Sequence, residues 1–323
     1  MDHRKYYGNP QQIMGVEEHR LVGGKGDGMR LLQIRNGLGL DCTISVDRCA
    51  DISRLIFKGD NLGYFSPAGY VAPSYYDDIG DGMLRSFTGG FLTTCGLTNV
   101  GVACEDQGEQ LPLHGRISNQ PAEHCYWTED EKEIVIYAKI SQAAMFLEKL
   151  TLTRKIVIKK DCNLIRIEDV IQNCGEYETP CMILYHMNMG YPLLSEQSIL
   201  QIPSVSITPR TEHAKEQLDS WNQITPPAPN VEEACFYHTF DKKGFARIYN
   251  PVIKKGVEIS FDPTNLDCFT QWNMFGEYDY VLGLEPGNCR PDGRHKTRQD
   301  RRLKTLKCNE SKKYWVEIKI VEE

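Results

Sequence analysis

Three residues far apart in the chain are of the types that general acid and base catalysis uses: His114 in LPLHGRISN, His186 in LYHMNMGYP and Glu285 in YVLGLEPGN. Near neutral pH a histidine can donate a proton and a carboxylate can take one from a hydroxyl, when their pKa values are matched to the task. A hemiacetal requires that combination. Protonating its ring oxygen and deprotonating its anomeric hydroxyl opens the ring, and rotation followed by the reverse transfers gives the other anomer without any redox group. Each residue also has a structural reading that spacing alone leaves open. A histidine in an apolar strand is equally a satisfied core group, and Glu285 is equally a turn cap or the partner of an arginine.

The strands that would carry these residues follow from alternation. If CMILYHMNMG is extended, Ile183, Tyr185, Met187 and Met189 point to one side, and Leu184, His186 and Asn188 to the other. The methionines then read as core packing, while His186 and Asn188 share a face fit to floor a concave site. In YDYVLGLEPGN, Tyr280, Leu282 and Leu284 alternate with Val281, Gly283 and Glu285, placing Glu285 at a strand end just before Pro286-Gly287-Asn288. A carboxylate opening onto a ligand pocket there avoids the cost of burying a lone charge.

LRSFTGGFLTTCGLTNVG adds Arg85, embedded among apolar residues, with Gly89 and Gly90 allowing a bend. A partly buried guanidinium must occupy its donors, with sugar hydroxyls or with an internal carboxylate. Thr93, Thr94 and Asn99 either line the same cavity or cap local turns. The irregular spacing of His114, Glu123 and His124 defines no metal centre, and GGKGDG lacks the GKS or GKT ending of a nucleotide loop. No metal and no cofactor are expected.

The wider pattern is extended. TLTRKIVIKK and NLIRIEDVIQN, joined by Asp161-Cys162-Asn163, read as an antiparallel hairpin, the first alternating Leu152, Arg154, Ile156 and Ile158 with Thr153, Lys155, Val157 and Lys159, the second Ile165, Ile167 and Asp169 with Arg166, Glu168 and Val170. IVIYAKI, ACFYHTF, FARIYN, GVEISFD and YWVEIKIVE repeat the strand signal. EEHRLVGGKGDGMRLLQIRNG is the one stretch that could begin helically, and a short helix is expected near Glu212 to Trp221, before the proline-rich TPPAPN. The sum is an all-β chain of antiparallel sheets, closed or doubled to protect their edges. A single domain is expected over 21–323, with 1–20 an extension or edge segment.

With 323 residues the chain can bury a large core. A net charge of -7, with Lys and Arg scattered apart from a late run from Arg290 to Lys307, disfavours nucleic acid as the ligand. The twelve cysteines occur singly, with no CxxC pair, and no apolar run reaches membrane-spanning length. Free thiols in a reducing cytoplasm are the expectation, with the chain a monomer or homodimer.

An ordered set of motifs resembles the aldose 1-epimerase-like branch of the galactose mutarotase superfamily, especially an incompletely characterised group of bacterial epimerase-related proteins. The set is DCTISVDRCADISRLIFKGDNLGYFSP, FTGGFLTTCGLTNVG, LHGRISN, LYHMNMGYPLL and YVLGLEPGN, over roughly residues 20–320. The resemblance implies a large antiparallel β-supersandwich with a carbohydrate cleft on one concave sheet and a small sugar, a monosaccharide or modified sugar, as ligand. It implies His186 as the acid at the ring oxygen, Glu285 as the base at the C1 hydroxyl and His114 as the residue orienting the sugar. Arg85 resembles the substrate-binding arginine, with Asn188 and Asn99 as further sugar contacts and Asp47, Arg48, Asp51 and Arg54 as a supporting polar network. Competing readings are an isomerase, epimerase or lyase acting at another carbon, and a non-catalytic sugar-binding protein.

Overall fold

The hairpin read from alternation forms as Lys149–Lys159 and Leu164–Asn173, paired antiparallel from Leu150 opposite Asn173 to Ile158 opposite Ile165. It lies within an eight-stranded antiparallel sheet. The order across that sheet is His124–Glu129, Glu133–Ala143, the hairpin, Ser311–Glu322, Lys255–Phe261, Gly244–Asn250 and Ile199–Gln201. A six-stranded sheet runs Ser206–Pro209, Ala234–Thr239, Cys268–Phe275, Tyr280–Gly287, Met182–Met189 and Leu92–Leu97, and a five-stranded sheet is built from the first strands, Gly15–Arg20 to Asp60–Asn61. The computed structural model describes residues 3–323.

The two larger sheets face each other across one core. Ile136, Ile140, Leu152, Ile156, Ile167, Val316, Ile318 and Ile259 from the eight-stranded sheet join Ile183, Tyr185, Met187, Met189, Leu282 and Leu284 from the six-stranded sheet in a single buried cluster. The period-two pattern therefore sorts both central strands as read: one face is core, and the opposite face, with His186 and Glu285, is free to face a cleft.

An ionic knot closes this core. Arg154, fully buried, donates to both carboxylate oxygens of Asp169 at 3.0 and 2.7 Å and to Asp51 Oδ1 at 2.6 Å. Tyr185 donates to Asp169 Oδ2 at 2.8 Å, and Thr94 donates its hydroxyl and its N–H to Asp51. The knot thus reaches all three sheets and grips the strand carrying His186 by its neighbour Tyr185. The four charged residues grouped as one network separate here. Asp51 joins the knot, Arg48 donates to the carbonyls of Ser118, Val71 and Ser86, Arg54 covers the Phe65 ring and Asp47 accepts from Arg30 N.

The possible helical start is instead a strand, Gly15–Arg20, then a short 3-10 turn at Gly24–Gly26 and a second strand, Arg30–Arg35. Gly15–Arg20 is the outer strand of its sheet; Val16 enters the core, while Glu18, His19 and Arg20 are exposed, so no alternation marks it. The expected short helix forms at Glu212–Glu216, capped by the Thr211 hydroxyl accepting from Ala214 N at 3.1 Å. All twelve cysteines are free, and among the described residues no helix is long and apolar enough to cross a membrane.

Candidate functional site

The outer face of the six-stranded sheet floors a cavity of about 660 Å³. Register brings its chemistry together. The pairing of Leu184 with Gly287 and Met187 with Leu284 sets His186 opposite Glu285 on adjacent strands, flanked by Thr93 beyond His186 and Thr270 beyond Glu285. His186 Nε2 and Glu285 Oε1 are 3.2 Å apart, both nearly inaccessible to solvent. The alignment is not that of a hydrogen bond, and Glu285 Oε1, His186 Nδ1 and Thr270 Oγ1 are buried without a partner. Unsatisfied polar atoms are rare in protein interiors, and their concentration on one patch marks a place prepared for a ligand.

Two glycines shape this patch. A Cβ on Gly283 would meet Glu285 Oε1 at 2.4 Å, so the carboxyl lies over a position that only glycine leaves open. His114 arrives on a loop, with a left-handed φ of 57° that is uncommon outside glycine. Its backbone N–H donates to Gly101 O at 2.7 Å and its carbonyl accepts from Gly96 N at 3.0 Å, which holds the strained residue against the end of Leu92–Leu97. The following Gly115 packs so tightly that a Cβ would meet Gly96 O at 2.2 Å. His114 consequently stands edge-on to His186, with ring centroids 5.4 Å apart.

Burial dominates the electrostatics. It pushes His186 down to about 3, helped by the neighbouring His114, and His114 down to about 4, helped by Arg210. It pushes the Glu285 carboxyl well above the ordinary carboxylate range, against the opposing pull of Arg210. Burial thus favours the neutral form of all three groups.

The other residues expected to bind substrate lie elsewhere. Arg85 ends the short turn Gly82–Arg85, its side chain is 75% exposed and it pairs with Asp77 at 3.2 Å, outside the cavity lining. Its apolar neighbours mislead because Met83 turns inward while Leu84 and Arg85 turn out. Asn99 is a buried loop brace, donating to the carbonyls of Pro112 and Val102 and accepting from Arg294 N at 2.7 Å. Asn188, fully buried, donates to His186 O at 3.1 Å, and its side chain bears on His186. Neither asparagine lines the cavity.

Sequence reasoning missed Arg210, Glu233, Cys235 and Trp272, all of which line the cavity. Arg210 follows the outer strand Ser206–Pro209 and is placed by its N–H on Cys235 O at 2.9 Å. Its guanidinium lies 3.4 Å from Asp292 and 3.9 Å from Glu233. Trp272 is edge-on to His186 at 5.5 Å and donates to Glu233 at 2.7 Å. A signal was available for Trp272, which shares the outward parity of Thr270 in CFTQWNMF; none marked Arg210, which sits where regular alternation ends.

The sandwich, with His186 and Glu285 on its sheet floor and His114 laid over them from a loop, has the fold of aldose 1-epimerase and galactose mutarotase-like proteins, to which the chain is distantly related. A protein from Klebsiella pneumoniae provisionally assigned as an aldose 1-epimerase superposes with a TM-score of 0.89 at 25% identity, covering 95% of this chain and 83% of that one. A galactose mutarotase-like protein from Clostridium acetobutylicum (TM-score 0.69, 13% identity, 97% and 100% covered) and galactose 1-epimerase from Lactobacillus acidophilus (0.64, 13%, 96% and 99%) share the fold. The chain belongs to the DUF4432 family, a domain of unknown function, whose model matches residues 26–320. No curated protein matches the sequence.

Proposed function

We propose that the protein interconverts the anomers of a small sugar by acid and base ring opening. The observation that carries this reading is the contact of His186 with Glu285, 3.2 Å apart on the cavity floor with polar atoms left free for a ligand. The similarity to the Klebsiella pneumoniae protein agrees with it.

The pair holds one proton, on Glu285 at rest. Transfer across the short gap to His186 gives imidazolium and carboxylate, the form suited to reaction. Glu285 then takes the proton of the C1 hydroxyl as His186 delivers its own to the ring oxygen. The bond from C1 to the ring oxygen breaks and a C1 carbonyl forms. Rotation about the bond from C1 to C2 exposes the other carbonyl face, and reversal of both transfers closes the opposite anomer with the pair restored. His114 is assigned to orient the sugar beside His186, and Trp272 to offer an aromatic wall to the pyranose.

Anomer exchange measured by NMR on freshly dissolved aldoses tests the reading. Wild-type protein should accelerate exchange, and His186→Asn and Glu285→Gln should each slow it by roughly 10²- to 10⁴-fold while sugar affinity is largely kept. Deuterium appearing at a ring carbon would redirect the assignment to chemistry at another carbon. Affinity without any acceleration across a broad panel would leave a binding protein.

A further inference from the structure

The cavity is unequal on its two sides. Beyond Glu285 lie charged groups already engaged with one another: Arg210 between Asp292 and Glu233, and Glu233 accepting from Trp272. On the His186 side carbon makes up most of the wall, with Asp81 at the start of the adjoining turn. Phe87 stands edge-on to the His186 ring, centroids 5.7 Å apart. Met83, only 1% exposed, anchors the adjoining turn, and Leu84 brings the apolar surface to the mouth, 61% exposed.

Size and charge narrow the occupant. A volume near 660 Å³ falls within the ~300–1,000 Å³ of clefts that take drug-sized ligands, and is more than a bare pyranose fills. Among the described residues Arg210 is the only Lys or Arg in the lining, and it is already paired, whereas Asp81, Asp279 and Glu233 line the same space. A phosphate or carboxylate on the sugar would meet like charge and find no free cation.

Resting on the reading that His186 serves the ring oxygen, we propose that the preferred sugar is neutral and presents carbon rather than a free hydroxyl or charge at its C5 end, as a 6-deoxy sugar or a sugar alkylated or acylated on its exocyclic oxygen. The ring oxygen and C5 are bonded neighbours, so a sugar seated with its ring oxygen at His186 directs its C5 substituent toward Phe87 and Leu84. Covering these side chains removes apolar surface from water, and a hydroxyl placed there gains no partner from them.

Matched pairs decide it. Anomer exchange is measured for 6-deoxyglucose against glucose, 6-deoxygalactose against galactose, and 6-O-butyrylglucose, glucuronate and glucose 6-phosphate against glucose. The apolar members should show kcat/KM about tenfold or more above their parents and the anionic members well below, and Leu84→Ser should shrink the apolar preference severalfold. Equal rates across the pairs, or faster turnover of the anions, would overturn the proposal. Should no sugar be turned over, the anomerase reading fails separately, and calorimetric titration of the same pairs decides this one. Tighter binding of the apolar members sustains it; equal, weaker or absent binding ends it.

Discussion

Burial places opposed demands on the site residues, and the pH dependence of stability should expose them. Glu285 has a folded pKa raised above its unfolded value of about 4.3, so its contribution is full at low pH and is lost as pH rises toward the folded value. His114 and His186, lowered to about 4 and about 3, act in the other direction: from an unfolded value of about 6.5, stability falls as pH drops toward those values. Glu285→Gln removes only the first effect. The variant should therefore unfold a few degrees above wild type at pH 8, with the advantage shrinking toward pH 4.5, because below pH 6.5 the histidines destabilise both proteins but only wild type regains the Glu285 contribution. Thermal unfolding across pH 4 to 9 checks this, and curves that run parallel throughout would mean that Glu285 is not held protonated by its surroundings. His186 and Glu285 could be placed on one face from the sequence because strand parity is strict, whereas His114 stood out only by residue type. Arg85 was misread because apolar flanks do not reveal a 3-10 turn, where successive side chains point in different directions.

At the scale of elements, the site depends on two neighbouring strands keeping register, and on Gly283 leaving space over its own backbone. Gly283→Ala is expected to fold, since the atom its Cβ meets is the end of a flexible carboxylate, but the carboxylate must move from its place beside His186. Activity should fall at least tenfold, with a stability change smaller than about 1.5 kcal/mol, as measured by anomer exchange and urea unfolding on the same preparation. Retained activity would place the reacting position of Glu285 elsewhere. Half-buried strands such as Lys149–Lys159 wrote their period plainly into the sequence. The outer strand Gly15–Arg20 did not, because three successive exposed polar residues carry no alternation, and the loop that delivers His114 and the strand end that delivers Arg210 have no period to read.

For the whole molecule, the knot of Arg154, Asp51 and Asp169 ties the three sheets together at the back of the site. The alternation put Arg154 and Asp169 on the same inward face, yet their meeting with Asp51, about a hundred residues earlier in the chain, is a product of tertiary folding that no local pattern records. Arg154→Met leaves two carboxylates without their cation in an apolar interior and should cost about 3–5 kcal/mol in urea unfolding, a loss far larger than that of any site variant. A loss below 1 kcal/mol would show that water reaches the knot. Because Tyr185 donates into it from the residue next to His186, the surviving folded Arg154→Met protein should also lose part of its activity.

The cavity divides its labour between parts with different freedom to change. His186, Glu285 and Trp272 stand on paired strands whose other face is core, whereas Leu84, Val102 and His114 come from turns and loops laid over that floor. Substitutions in the strands are constrained from both faces at once, while those at Leu84 and Val102 meet solvent and little else. Such a scaffold is evolvable in one direction: rim segments can be exchanged for others while the strands and the residues they hold stay fixed by the core behind them.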